Sequence, residues 1–539
     1  MLTFLLRQLG RIDARRLWAW LRSRWSLPLG IALGWFVVAF ASIYWAEGFR
    51  PKTFTTPDEA ANRLAGSIIS KTGRPFLELP FVDPEDCAHP RAWLSQGDYA
   101  IPIYPPVSVY FYALITSLKR IGAILLICLP ASGLGAFAAG IARLLPNDRR
   151  WLAAFAPALA MPALYWLMRP WMNICGLLTC VCWAFYFFMR WRTGGGKHAL
   201  TAAMLCVGLG AAVRPDYTSY LLLVTLLVSF SAEPSSWRRL LVLTALAGAF
   251  ALALNLFFNR LVTGNPFRAA YQMAMDADPA APRAGALARF AKLLFFPMAF
   301  AGWRTVGETL FKYWFLLQPL WILALGQLTL VPFLRARPLR ERLTLGVVLL
   351  LLVLFMVSRV DPMLFGLERD KPWIQDSVPR YWTPIYLLAC VPALWFVGRT
   401  RRRWAFGAGV AAVSVLALVS LASVYSTSSQ SLRRQRKLAN QELGWLDELE
   451  RIVPPEAIVY SVVFDKVLWS RFRAGHMENL ELAADSMARA LGHELPVYMW
   501  AHWNFKPELP HWEDVLESRG LRLVLVNRKL HFYRVVTRS

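Results

Sequence analysis

Charge is what this sequence has least of. Asp, Glu, Lys and Arg make up 17% of its 539 residues, against roughly 25% in ordinary soluble domains. With 57% hydrophobic residues and a mean hydropathy of +0.40, that shortage excludes an ordinary soluble enzyme. Cysteine supplies no framework either. Of the seven, Cys128, Cys175, Cys180, Cys182, Cys206 and Cys390 fall in or beside apolar runs and read as small buried hydrophobes. Cys87 stands alone, so no disulfide is expected even in an oxidising compartment. Cys180 and Cys182 lack the two-residue spacing of a metal or redox pair. The seven histidines show no zinc-helix spacing, so no metal site is expected and a histidine mechanism has no support. The C-terminal region has no Gly-rich phosphate loop, which argues against a nucleotide site there.

What is present is a succession of apolar runs. A spanning helix needs about 20 mostly apolar residues. Candidate spans are 28–46, 121–142, 151–168, 173–190, 198–213, 217–232, 238–258, 312–334, 343–358, 381–398 and 404–425, which gives about eleven. The 24 tryptophans and 33 phenylalanines fit a chain with many interfacial anchors. Residues 1–27 carry Arg7, Arg11, Arg15, Arg16, Arg22 and Arg24 among Leu and Trp. No small-residue cleavage site follows, so this reads as a cytoplasmic amphipathic segment and not a removable signal.

The net charge of +25 could suggest nucleic acid, but its placement argues for a membrane instead. Arg143 with Arg149 and Arg150, Arg190 with Arg192 and Lys197, and Arg238 with Arg239 lie between alternate spans. So do the groups at 335–342 and 399–403. This positive-inside pattern predicts a multi-pass inner (plasma) membrane protein with a cytoplasmic N-terminus. Loops 47–120 and 259–311, residues 359–380 and the C-terminal part from 426 then lie outside. That last part alternates helix-like and strand-like segments, AIVYSVV, PVYMWA, LRLVLVN and HFYRVV, and predicts a small α/β domain at 426–539. The membrane domain is expected to span 28–425.

Few polar residues interrupt this apolar frame, and they fall at predicted outer span ends. Asp58 and Glu59 follow the first span and precede a helix-like stretch. They suit a general base for an acceptor hydroxyl, or simply the acidic first turn of a helix capped by Thr56 or Asp58. Arg214, in VRPDY, costs about 2.5–3.5 kcal/mol on insertion scales if left within the bilayer. It is read either as a phosphate ligand or as a snorkelling side chain paired with Asp216. Arg380 and Tyr381 stand at the outer end of a span and could hold a lipid phosphate; an outer-face arginine runs against the positive-inside rule. Lys312, Arg304, Arg169 and Arg268 are weaker cations of the same kind. Asn173 opens the fourth span and reads as a helix cap. Trp500, Trp503 and Phe505 could stack on sugar rings, but the core of the small domain is the simpler place for them.

An acidic pair in the first outer loop, YPPVSVYFYAL starting at Tyr104, the RPD at 214–216 and a late PRYWTPIYLL occur in that order. Together they resemble the GT-C superfamily of polyprenyl-phosphate-sugar-dependent glycosyltransferases, with its protein mannosyltransferase and aminoarabinose transferase branches. The resemblance covers roughly residues 28–425. It implies an α-helical polytopic fold and transfer of a sugar from a polyprenyl-monophosphate donor to a glycan, lipid or protein hydroxyl, with inversion. Asp58, with Glu59 beside it, matches the catalytic acid. Arg214 and Arg380 match basic positions near the donor phosphate; Tyr381 and Lys312 are expected beside them, and Asn173, Asp216 and Tyr104 are taken as candidate substrate contacts. Where several relatives carry a second acid, this chain has Asn173, which weakens the case for a metal. Two other classes remain open. A transporter or flippase usually shows internal repeats and midplane charges, and this sequence has no repeat and few charges in its spans. A non-catalytic envelope assembly protein would not depend on one carboxylate.

Overall fold

A computed structural model describes residues 27–48, 56–217, 221–226, 237–270, 273, 307–309, 311–316, 339, 347, 377–427, 431–501 and 509–538. The first apolar run forms α1 (Leu27–Glu47), and α2 (Pro57–Thr72) follows. A three-stranded antiparallel sheet then comes from β1 (Leu77–Glu78), β2 (Trp93–Gln96) and β3 (Tyr99–Pro102), in the order β1-β3-β2. Helices α3 (Pro106–Ser117) and α4 (Lys119–Leu144) lead into the bundle. α1 crosses α4 so closely that a methyl group on Gly135 would sit 2.5 Å from the carbonyl oxygen of Ala32. Only a residue without Cβ lets the two backbones meet there.

The expected span 151–168 is the main departure from the sequence reading. Its place is taken by a 3-10 turn (Asn147–Phe155) and two short helices, α5 (Ala156–Leu159) and α6 (Met161–Leu167), interrupted at Ala160. Pro157 and Pro162 account for the break, since each removes a backbone donor and crowds the preceding turn. From Leu152 to Met172 most side chains are buried among the other helices, so the apolar run is core and not lipid-facing wall. The bundle continues with α7 (Asn173–Arg192), α8 (Lys197–Val213), α9 (Trp237–Thr263), α10 (Ser377–Arg399) and α11 (Arg403–Ala422).

Among the described residues six helices are long and apolar enough to cross a membrane: α1, α4, α7, α9, α10 and α11. α8, at Lys197–Val213, is a shorter apolar helix. Most of the expected spans 312–334, 343–358 and 217–232 lies outside the described residues, as do the segment 1–26 and most of 259–311. The chain is thus an α-helical polytopic protein with a small α/β unit. Its basic linkers gather at one end of the bundle. Arg149 donates to the carbonyls of Gly398 (3.1 Å) and Thr400 (2.7 Å). Arg239 donates to that of Lys197 (2.7 Å), and Arg143 reaches the Thr193 hydroxyl.

At the other end sits the α/β unit. α12 (Leu432–Leu449), capped by the Ser431 hydroxyl, leads into β4 (Ile458–Ser461), α13 (Asp465–Leu468), β5 (Arg473–His476) and α14 (Leu480–Gly492). β6 (Val497–Trp500), α15 (Leu509–Ser518), β7 (Leu521–Asn527) and β8 (Phe532–Thr537) complete it. The sheet order is β5-β4-β6-β8-β7, parallel across β5, β4 and β6 and antiparallel beyond. Trp500 is core, its ring stacked on Phe464 at 4.1 Å, whereas Trp503 and Phe505 lie outside the described residues.

β5, with the sequence RAGH, lacks the β-branched signature of a strand and was not expected. It pairs in parallel with β4 over all four residues, and the first loop meets its other edge, where the His476 backbone N–H donates to the Cys87 carbonyl at 2.9 Å. That loop is tied down further. Asp83 accepts from the backbone N–H groups of Cys87 and Ala88 (2.6 Å each) and from the Ser486 hydroxyl (2.8 Å). Arg91 grips the buried Asp465 through its backbone N–H, Nε and Nη2 at 2.8, 3.0 and 2.8 Å.

Two histidines lie in the joint. The His89 ring nitrogens contact Asp86 Oδ1 (2.6 Å) and the Pro90 carbonyl (2.9 Å), two acceptors, so the ring is held as imidazolium. Burial opposes that charge, but the hydrogen bond and charge of Asp86 outweigh it and raise its pKa. Burial, and then the nearby His89 cation, push His476 down from 6.5 to about 4. Between those values folded His476 binds fewer protons than the unfolded chain, so it contributes stability present above pH 6.5 and lost as pH falls towards 4. Melts of His476→Gln in detergent are therefore expected to show an acid loss shallower than wild type by about 3 kcal/mol once the histidine is fully protonated. Superimposable pH profiles would rule this out.

Candidate functional site

The site starts at the cap of α2. Thr56 takes the extended conformation of a cap residue (φ −126°, ψ 148°), its hydroxyl accepts from the Glu59 backbone N–H at 3.4 Å, and Pro57 occupies the first turn. Asp58 and Glu59 are therefore where a helix dipole favours acids. The capping reading of this stretch holds, and it does not exhaust what the two carboxylates do.

They face different partners. Asp58 Oδ1 accepts from the Tyr104 hydroxyl at 2.6 Å, and Oδ2 accepts from Arg380 Nη1 at 2.6 Å. Burial, and then Asp58 beside it, push the Tyr104 hydroxyl well above its usual range, so it remains a donor. Arg380 comes from the first turns of α10, 322 residues away in sequence. Its guanidinium lies 5.1 Å from the Tyr381 ring centre and 5.9 Å from that of Trp166. Arg214 lies 5.0 Å from the same Tyr381 ring and 5.4 Å from Tyr217, whose hydroxyl donates to the Tyr381 carbonyl at 2.6 Å. Two guanidinium groups thus share one aromatic ring, with the Asp58 carboxylate bound to one of them. Arg380 Nε is buried without a hydrogen-bond partner among the described residues. Such a cluster favours an anion with several acceptor oxygens.

Glu59 is fully buried and turns the other way. Arg169 Nε donates to its Oε1 at 2.8 Å and Nη2 to its Oε2, a two-point pair with almost no exposure on either side. Arg169 Nη1 donates to the Tyr165 hydroxyl at 3.0 Å, which also accepts from Gln435 Nε2 of α12. One turn along α2, Asn62 Nδ2 donates to Asn173 Oδ1 (2.8 Å) and to the Trp171 carbonyl (2.9 Å). This corrects the expectation for Asn173. The residue at the cap position of α7 is Met172, and the Asn173 side chain instead bonds across to α2.

Beside the arginines, Tyr217 also lines a cleft of about 190 Å³, partly open to the outside. Its other walls are almost wholly apolar and include Phe185, Val207, Leu221, Pro384 and Leu388. Of the remaining expected residues, Asp216 lies in the 3-10 turn Pro215–Tyr217, and its side chain is outside the described residues. Lys312 sits in the π-helical turn Phe311–Leu316, which is anchored to α10 by the Tyr386 hydroxyl on the Tyr313 carbonyl (2.8 Å). Arg268 lies in the turn after α9, and Arg304 is outside the described residues. Among the described residues no three His, Cys, Asp or Glu side chains are grouped to hold a metal ion.

Tyr165, Asn62, Tyr217 and Gln435 carried no sequence signal. Arg169 did: an arginine inside an apolar run needs a buried acid, and Glu59 is the acid that meets it. Removing one partner leaves the other charged and buried, so Glu59→Gln and Arg169→Met are each expected to cost about 3–5 kcal/mol. The double variant should lose clearly less than the sum in thermal melts; strict additivity would refute the coupling.

No protein-family model matches the sequence, and no curated protein matches it. Among solved structures, the chain is similar to the crystal structure of ArnT from Cupriavidus metallidurans in the apo state. The TM-score is 0.49 at 15% sequence identity, over 95% of this chain and 98% of that one.

Proposed function

We propose that this protein is a GT-C-type membrane glycosyltransferase that moves a sugar from a polyprenyl-monophosphate donor to an acceptor hydroxyl at the extracytoplasmic face of the inner membrane. The observation that carries the reading is the meeting of Asp58, Tyr104, Arg380 and Arg214 beside an apolar cleft. A lipid phosphate needs cations next to apolar surface, and glycosyl transfer needs a carboxylate next to those cations.

In this reading Arg380 and Arg214, with Tyr381, hold the donor phosphate, and the apolar cleft takes the start of its isoprenoid chain. Asp58 accepts the proton of the acceptor hydroxyl as its oxygen attacks the anomeric carbon. The bond from that carbon to the phosphate oxygen breaks, and the electron pair leaves with the phosphate, where preorganised cations are most effective. Tyr104 keeps the carboxylate oriented. Lys312, Asn173 and Asp216 are proposed as further substrate contacts, and the domain boundaries 1–27, 28–425 and 426–539 as the functional division. A single displacement inverts the anomeric configuration. The topology is consistent with the chemistry: nucleotide sugars are cytoplasmic, so an outward-facing transferase needs an activated donor that crosses the bilayer.

Purified wild type, tested on a panel of synthetic polyprenyl-phosphate sugars, is expected to turn over one of them. Asp58→Asn should reduce that rate by about 10²–10⁴. Absence of turnover by folded wild type would point to a missing acceptor, and if it persists with acceptor hydroxyls supplied it would favour the transporter class. NMR of the product should show the inverted anomer, and a retained configuration would contradict the single-displacement mechanism.

A further inference from the structure

Asp58 has no unengaged oxygen. Oδ2 is bonded to Arg380 and Oδ1 to Tyr104, each at 2.6 Å. The group proposed as base and a group proposed to bind phosphate are therefore bound to each other in the absence of substrate. Two observations indicate which partner moves. α2, which carries Asp58, is pinned one residue on by the buried Glu59–Arg169 pair and a turn on by Asn62–Asn173. Arg380 is held less firmly: only Nη1 is bonded among the described residues, Nε is buried without a partner among them, and the guanidinium lies within 6 Å of the Tyr381 and Trp166 ring centres.

We propose that the Asp58–Arg380 pair is a resting lock that the donor's phosphate opens, so that the donor binds before the acceptor. The inference rests on the lipid-phosphate reading of the site. The phosphate takes over Arg380 together with Arg214, which lies against the same Tyr381 ring, and Asp58 Oδ2 loses its cation and faces the acceptor hydroxyl. The donor phosphodiester carries one negative charge. The polyprenyl phosphate left after transfer carries nearly two at neutral pH, so the hold of Arg380 strengthens as the glycosidic bond breaks. Without donor, Asp58 stays covered, and water is not activated beside an empty site.

The lock has a consequence that an ordinary catalytic base does not share: Asp58 competes with the phosphate. Binding of a sugar-free polyprenyl monophosphate to protein in nanodiscs would be measured for wild type, Asp58→Asn, Arg380→Gln and the double variant, with melts to confirm folding. Asp58→Asn is expected to bind about tenfold tighter, the gain when one charge-assisted hydrogen bond no longer has to be given up. Arg380→Gln should bind more weakly than wild type, and adding Asp58→Asn to it should then make no difference. Equal or weaker binding by Asp58→Asn overturns the lock. So does a gain that persists in the Arg380→Gln background, because that would be a general effect of removing negative charge. Turnover of a polyprenyl-phosphate sugar by wild type, with acceptor hydroxyls supplied, is measured alongside. Its absence would reject the transferase reading, whereas the lock is decided by the binding ratios. Failure of wild type and Asp58→Asn alike to bind the monophosphate would reject both.

Discussion

A charge at the end of an apolar helix bundle must be paired, and the buried Glu59–Arg169 pair is the constraint on which the site depends. It ties the cap of α2 to the segment between α6 and α7 with both side chains almost fully excluded from solvent. Such a pair contributes little over a well-packed apolar contact, but breaking it is expensive, so it fixes position more than it adds stability. Its neighbours extend that role. Tyr165 passes the contact from Arg169 to Gln435 at the start of the α/β unit, and Trp166 lies within 6 Å of both Arg169 and Arg380.

This arrangement gives two adjacent carboxylates different tasks. Consecutive residues in a first helical turn diverge by about 100° around the axis, since 3.6 residues complete a turn. Asp58 can therefore face Tyr104 and Arg380 while Glu59 faces the interior. A pair in sequence is two separate sites in space, and only the partially exposed one can meet a substrate.

Much of the architecture was legible because its physical causes are local. Apolar runs gave α1, α4, α7, α9, α10 and α11. Strand-like runs rich in Val and Tyr point to β4, β6, β7 and β8, and the basic linkers do gather at one end of the bundle. What sequence missed is non-local. The 151–168 run reads as a span because hydropathy cannot tell lipid from protein as the surroundings, and in the sequence the prolines at 157 and 162 are the hint of the break. β5 owes its place to pairing with β4, made possible by Gly475, where a Cβ would run into Tyr460 and the Cys87 carbonyl. Asp58 and Arg380 were each marked as candidates, but nothing in the sequence shows that they touch. Asn173 looked like a cap because it sits at a helix start, and its partner Asn62 lies 111 residues earlier.

The covering of β5 by the first loop also sets an order of events. The Cys87 carbonyl waits for a backbone N–H that enters the chain 389 residues later, and Asp58 for an arginine 322 residues later. Contacts of such separation form late, so a nascent chain carries its first loop unsealed until almost the whole protein has been made. Synthesis itself thereby acts as a check: a chain stopped before residue 380 has no partner for Asp58, and one stopped before residue 476 leaves the first loop unsealed.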